Sequence, residues 1–139
     1  MILGWKNYRH HGDAMKLFIL VGMGGAFGAM FRYGIASWLN GPSTVQGLPI
    51  GTLFVNLLGC FFIGVLATVL AGEDLWTRHL YAFLVVGILG GFTTFSSFGL
   101  ETQTLLLAGR WSDAALYVTL SNLGGLVAAF GGYALADLL

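Results

Sequence analysis

The chain has 139 residues, 57% hydrophobic and 9% charged, with a formal net charge of zero. A mean hydropathy of +0.83 excludes both an ordinary soluble domain and a disordered chain, and the neutral balance gives no reason to expect nucleic acid as a partner. Spanning a bilayer takes about 20 apolar residues per helix, so four such helices use up the length and leave no room for a hidden soluble domain.

Residues 1–15 are polar and mixed, with Lys6, Arg9, His10, His11 and Asp13, and read as a tail ahead of one transmembrane domain over 16–139. Met15-Lys16 is itself a candidate start. The adjacent histidines have no cysteine or second histidine pair nearby, which makes solvated side chains a better reading than a metal site.

The first predicted span runs from Lys16 to Trp38. Its apolar run is longer than a signal-peptide core and no small-residue cleavage site follows it, so a retained helix is expected. Gly24 and Gly28 recur at the interval that lets membrane helices approach closely. Arg32 lies toward the end of this span, where it either snorkels to the interface or lends positive charge to an anion vestibule.

The turn formers Asn40-Gly41-Pro42-Ser43 lead into a second span, Ile50 to Ala71. Thr52 and Asn56 share one helical face, with Gly59 a further turn along. The Asn56 amide serves either as a hydrogen bond between helices or as a donor to an anion. Cys60, the single cysteine, has no intrachain disulfide partner and reads as a small buried thiol.

After Gly72-Glu73-Asp74, the third span covers Arg78 to Leu107 with an internal break. Six of the eight positions from Gly90 to Ser97 are Gly, Thr or Ser. Gly90 and Gly91 permit an unwound turn, and Thr93, Thr94, Ser96 and Ser97 satisfy loose backbone or contact a passing ion. Carbonyls turned loose at such a break suit a hard cation, as in the discontinuous helices of transporters; a repaired kink is the plainer account. Phe95 and Phe98 follow at helical spacing, either as packing or with their electropositive ring edges toward a small anion. Glu101 lies two turns beyond. It either caps polar neighbours or meets an ion path, where it would repel an anion unless protonated, paired or displaced.

Gly109-Arg110-Trp111-Ser112-Asp113 precedes the fourth span, Ser112 to Leu138. Tyr117 and Ser121 lie one turn apart, followed by Asn122 and Gly125, and form either a track of donors or packing hydrogen bonds. The small pairs Gly124–Ala128 and Gly125–Ala129, like Gly87 and Gly91 in the third span, are expected at helix contacts.

No catalytic triad, phosphate loop or metal-ligand cluster is visible, so no enzymatic activity is expected. Four helices pack around their own side chains, which places any path at a contact between subunits. The side carrying the N-terminus holds Lys6, Arg9, Lys16 and Arg78, against Arg110 and Arg32 on the other. The bias leans toward N-terminus inside but rests largely on the tail, and without residues 1–14 insertion in both directions is open.

The order of these motifs resembles the Fluc/CrcB family of fluoride channels, from Gly24 to about Gly125. The likeness rests on Gly24-Gly25-Ala-Phe-Gly28-Ala29-Met-Phe-Arg32-Tyr33, on Gly51-Thr52-Leu53-Phe-Val55-Asn56-Leu-Leu-Gly59, and above all on Gly90-Gly91-Phe-Thr93-Thr94-Phe95-Ser96-Ser97-Phe98 followed by Glu101. Ser97 stands where the family commonly has Thr, which preserves the hydroxyl. The resemblance implies an all-α membrane protein with four transmembrane helices per subunit, the third broken near Gly90–Thr94. It further implies an antiparallel, dual-topology homodimer in the plasma membrane, with two fluoride pathways and a central structural sodium ion. By the same resemblance the sodium is held by the Gly90 and Thr93 carbonyls. Asn56, Phe95 and Phe98 line the pore, Ser96, Ser97, Tyr117 and Ser121 add polar contacts, Arg32 serves the vestibule, and Thr52 and Glu101 fall along the path. Uncharged donors suit a small, tightly hydrated anion that must be stripped of water and then released.

Two readings compete. A dual-topology exporter resembling the small multidrug resistance proteins needs a deep carboxylate that titrates against a cationic substrate, for which Glu101 is the sole candidate. A noncatalytic assembly subunit would use Asn56 and the glycines for packing alone.

Overall fold

A computed structural model of the chain describes residues 11–40, 47–72 and 74–138. Lys6, Arg9 and His10 of the tail, Gly41-Pro42-Ser43 of the first turn, and Glu73 lie outside the described residues. The elements in order are α1 (His11–Leu39), α2 (Ile50–Val69) and α3 (Leu75–Tyr81), which continues as a π-helical stretch over Ala82–Leu89. One further turn, α4 (Gly90–Phe92), precedes a break, and α5 (Phe95–Leu107) and α6 (Trp111–Asp137) complete the chain. Among the described residues four helical stretches are long and apolar enough to cross a membrane, and there is no strand.

Local chemistry sets the ends that differ from expectation. α1 is already helical at His11, the first described residue, ahead of the expected Lys16, with Asp13 in this first described turn and a Lys16–Asp13 ion pair at 3.7 Å; an acidic residue near a helix N-terminus complements the helix dipole. α3 begins at Leu75, before the expected Arg78, because Asp74 caps it. One Asp74 carboxylate oxygen accepts from the Trp76 and Thr77 amides at 3.0 Å each, and the other from the Thr77 hydroxyl at 2.5 Å. The Thr77 hydroxyl bond, then its amide, hold the exposed Asp74 carboxyl below its ordinary pKa. A lowered folded-state pKa means that the cap is intact near neutrality and is lost as pH falls through that value.

The helices cross where side chains are missing. A Cβ at Gly28 would run into the Ile88 carbonyl oxygen, and one at Gly91 into the Gly25 carbonyl oxygen, so α1 lies backbone to backbone on the third segment. α2 meets α6 the same way: a Cβ at Gly64 would strike the Ala129 carbonyl oxygen, and one at Gly132 the Phe61 carbonyl oxygen. Gly124 and Gly125 face the Leu57 and Cys60 side chains instead. The tightest approach of these two helices therefore runs from Ala129, the far end of the expected Gly125–Ala129 pair, to Gly132. Without a hydrophobic driving force between helices in lipid, such close packing is the main attraction available.

The third segment is broken within the expected Gly90–Thr94 stretch, but at its far end rather than at the glycines. Gly90 stays helical, with φ −61° and ψ −37°, and the extended residues are Thr93 (φ −83°, ψ 155°) and Thr94 (φ −148°, ψ 117°). The two glycines are not the hinge, and Gly91 instead allows α1 to approach. Opening the helix two residues later is possible because partners for the freed backbone wait there, as described below. Many large apolar side chains point outward, Phe18, Leu107 and Phe130 being 71–83% exposed; in a bilayer this is the lipid face or a subunit contact.

Gly132→Ala is expected to destabilise the folded protein by about 1–3 kcal/mol through overpacking, whereas Gly131→Ala, with nothing within 4 Å of its would-be Cβ, leaves stability unchanged or slightly raised. Heating detergent-solubilised variants and following loss of the monodisperse size-exclusion peak checks this; equal midpoints for the two variants would contradict the crossing described.

Candidate functional site

One face of α2 organises the site. Thr52, Asn56 and Gly59 follow each other by one turn, and all three reach the broken third segment. In an unbroken helix the Thr94 N–H would bond the Gly90 carbonyl. Here it donates to Asn56 Oδ1 at 2.8 Å, and Asn56 Nδ2 donates back to the Thr94 carbonyl at 3.1 Å. A single side-chain amide thus replaces both helical partners of one residue. The Gly90 carbonyl loses its helical donor in the exchange.

Two more of the freed backbone groups, the Gly91 carbonyl and the Ser97 N–H, find side-chain partners. Arg32 Nε donates to the Gly91 carbonyl at 3.1 Å, so Arg32 caps the upper half-helix rather than merely snorkelling. Thr94 caps the lower one: its Oγ1 accepts from the Ser97 N–H and donates to Ser97 Oγ, both at 3.2 Å, with Ser96 Oγ also at 3.2 Å. Thr93 Oγ1 donates to the Leu89 carbonyl at 3.0 Å.

Glu101 caps polar neighbours. Its two carboxylate oxygens accept from Thr52 Oγ1 and from the Tyr117 hydroxyl, each at 2.6 Å. Thr52 is 4% exposed and Tyr117 fully buried, and Tyr117 packs with Leu105 and Ala114 in the small core. The Tyr117 hydroxyl is therefore committed to Glu101. Ser121 Oγ, one turn on, is buried with no hydrogen-bond partner, so the two hydroxyls face different surroundings rather than forming one track.

The residues singled out from the sequence fall into two cavities. A groove of about 560 Å³ is lined by Asn56, Gly90, Thr93, Phe95, Phe98 and Ser121, along with apolar side chains. A smaller, more polar cavity of about 400 Å³ holds Arg32, Thr52, Ser97 and Glu101. Thr94 lines both, which makes the break the wall between them. Phe95 is 82% exposed on the monomer. Its ring centroid lies 5.5 Å from that of Phe98, and Phe98 lies 5.4 Å from Tyr117, with interplanar angles of 42° and 44°.

Thr94, expected among the hydroxyls that satisfy loose backbone but not in the pore, does so as a cap, for which a Thr ahead of a helical Phe-Ser-Ser run is a signal. Cys60, expected as a buried thiol, and Asn122, expected to have no role of its own, both line the groove. Among the described residues no group of three His, Cys, Asp or Glu is placed to hold a metal. A cation here would depend on carbonyl oxygens, and the Gly90 carbonyl, deprived of its helical donor beside the groove, has the chemistry for one.

Comparison with known proteins is consistent with this architecture. A family model described as CrcB-like protein, Camphor Resistance (CrcB), matches residues 19–133. The chain is 47% identical over 125 residues to the "Fluoride-specific ion channel FluC" of Thermus thermophilus, covering 90% of this chain and 97% of that protein. It is 40% identical over 121 residues to the protein of the same name from Chloroflexus aurantiacus, covering 87% and 95%. A similar match, 40% over 123 residues, covers 88% of this chain and 85% of "Fluoride-specific ion channel FluC 1" from Bacillus cereus. With four apolar helical stretches, a family match spanning all of them and near full-length relatives at these identities, the chain is a multi-pass membrane protein of the CrcB family.

Proposed function

We propose that this protein is a fluoride-selective channel that lets cytoplasmic fluoride leave a bacterial cell passively across the plasma membrane. The observation that carries the reading is the groove beside the break, which is lined by Asn56, Ser121, two phenyl rings and backbone, with no charged side chain among its described lining residues. A buried hydroxyl without a partner, Ser121 Oγ, sits in it. Unpaired buried donors are unusual in proteins, and a dehydrated halide is a fitting acceptor. The near full-length likeness to relatives named as fluoride-specific channels points the same way.

The mechanism follows from what each residue offers. Fluoride enters the polar cavity, where the Arg32 charge draws it in and Thr52 and Tyr117 keep the Glu101 carboxylate occupied as an acceptor. Ser96 and Ser97 hydroxyls carry the anion past the Thr94 wall. In the groove the remaining Asn56 amide hydrogen, Ser121 and the ring edges of Phe95 and Phe98 replace its water without a full charge that would trap it. Weak acid entering as HF dissociates in the cytoplasm, and the anion leaves down the membrane potential.

The groove is open on one monomer, and in this reading a second copy, inserted in the opposite orientation, closes it as an antiparallel homodimer surrounded by lipid. The Gly90 and Thr93 carbonyls of each subunit would hold a structural sodium ion, which would supply a positive charge between the two broken helices. Diversion of the Thr94 N–H to Asn56 supports that assignment. The exporter reading is not favoured, since Glu101 already holds two hydroxyl donors and α1 supplies no carboxylate at depth.

Purified protein in liposomes loaded with fluoride is expected to discharge it, as read by a fluoride electrode, while leaving a chloride gradient standing. Silent vesicles from a well-folded dimer would overturn the reading. Phe95→Ile and Phe98→Ile each remove an aromatic edge worth about 0.5–1.5 kcal/mol, roughly tenfold at the upper end. Fluoride flux should fall by that order while the dimer, followed by size-exclusion chromatography with light scattering, persists.

A further inference from the structure

We propose that Gly59 is a positioning residue for conduction: lacking a side chain, it seats the Thr93 methyl against α2 and so fixes the direction of the Thr93 carbonyl at the break. The proposal rests on the channel reading above. At Gly28, Gly64 and Gly132 a Cβ would meet a carbonyl oxygen of a continuous helix, and the consequence is helix spacing. At Gly59 the nearest atom is instead Thr93 Cγ2, with Phe92 Cδ1 at 3.5 Å. The residue that Gly59 accommodates is the first extended one of the break.

Thr93 has little freedom to yield. Its N–H and its Oγ1 both donate to the Leu89 carbonyl, each at 3.0 Å. A β-branched side chain with its hydroxyl so anchored has one rotamer left, and that rotamer sends the methyl onto α2 at Gly59. Any Cβ at 59 forces Thr93 either to surrender the hydroxyl bond or to rotate its backbone, and rotation swings the carbonyl of a residue that lines the groove. Asn56, one turn earlier on the same face, already grips both backbone groups of Thr94. α2 therefore holds two successive residues of the break, one by hydrogen bonds and one by shape.

The test measures fluoride and chloride flux per assembled dimer in liposomes. Gly59→Ala should lower fluoride flux roughly tenfold or more, since displacements of about 1 Å at a functional centre have effects of that size. Gly59→Ala combined with Thr93→Ser deletes the methyl while keeping the hydroxyl bond, and should recover flux roughly tenfold over Gly59→Ala alone. Wild-type flux in Gly59→Ala, or no recovery in the double variant, overturns the proposal. Should Gly59→Ala fail to fold, Thr93→Val keeps the methyl and removes its anchor. It should lower the fluoride-to-chloride flux ratio in an intact dimer, a readout that a purely architectural role would not move, and an unchanged ratio would count against the proposal. Silent wild-type vesicles overturn the channel reading and this proposal with it, whereas a conducting wild type with an equally conducting Gly59→Ala overturns this proposal alone.

Discussion

A helix opened at membrane depth frees peptide groups that hydrocarbon cannot partner, and in this protein the Asn56 amide meets the largest part of that demand. Each of its two bonds to Thr94 would add only about 1 kcal/mol net in water, but an unpaired N–H or C=O in hydrocarbon costs several. Avoiding the orphan, rather than gaining the bond, decides the matter. The extended residues lie at Thr93 and Thr94 because that is where α2 presents an amide and a glycine to receive them, and Arg32 completes the arrangement by capping Gly91.

Charge is distributed with the same economy. Arg32 and Glu101 share the smaller cavity on one side of the Thr94 wall, where each Glu101 oxygen accepts from one hydroxyl. The larger groove on the other side carries polar and aromatic groups without net charge. In a low-dielectric setting a fixed charge binds an oppositely charged ion strongly, so in the proposed reading a groove free of charge suits passage over retention. Conversely, the buried Tyr117 phenol, Thr52 and Glu101 brace α2, α5 and α6 against one another, which keeps the Phe98 ring in place against Tyr117.

The glycines illustrate how far local patterns can be read. Their helix-packing intervals in α1 and the third segment correctly indicated close crossings, because small-residue spacing is a property of one helix face. The choice of Gly90-Gly91 as the unwound turn did not hold. Glycine lowers the barrier to opening a helix wherever it occurs, yet a helix opens where the freed groups are received, and here Gly91 is occupied by the Gly25 backbone. In α6, likewise, the closest approach to α2 is made at Ala129 and Gly132 rather than at Gly124 and Gly125, a choice set by the crossing point of two helices and not by either sequence.

The amino-acid sequence by itself determined the number of spans, their order, the presence of a break among Gly, Thr and Ser, and the family, since hydropathy, turn chemistry and contiguous motifs are local in the chain. Only the tertiary structure decided which partner each polar group takes. Asn56 and Thr94 are 38 residues apart, Thr52 and Glu101 49, and Arg32 and Gly91 59. Every one of these groups has several chemically acceptable partners, and selection among them depends on the helix crossings that bring one pair, and not another, within 3 Å or so of contact.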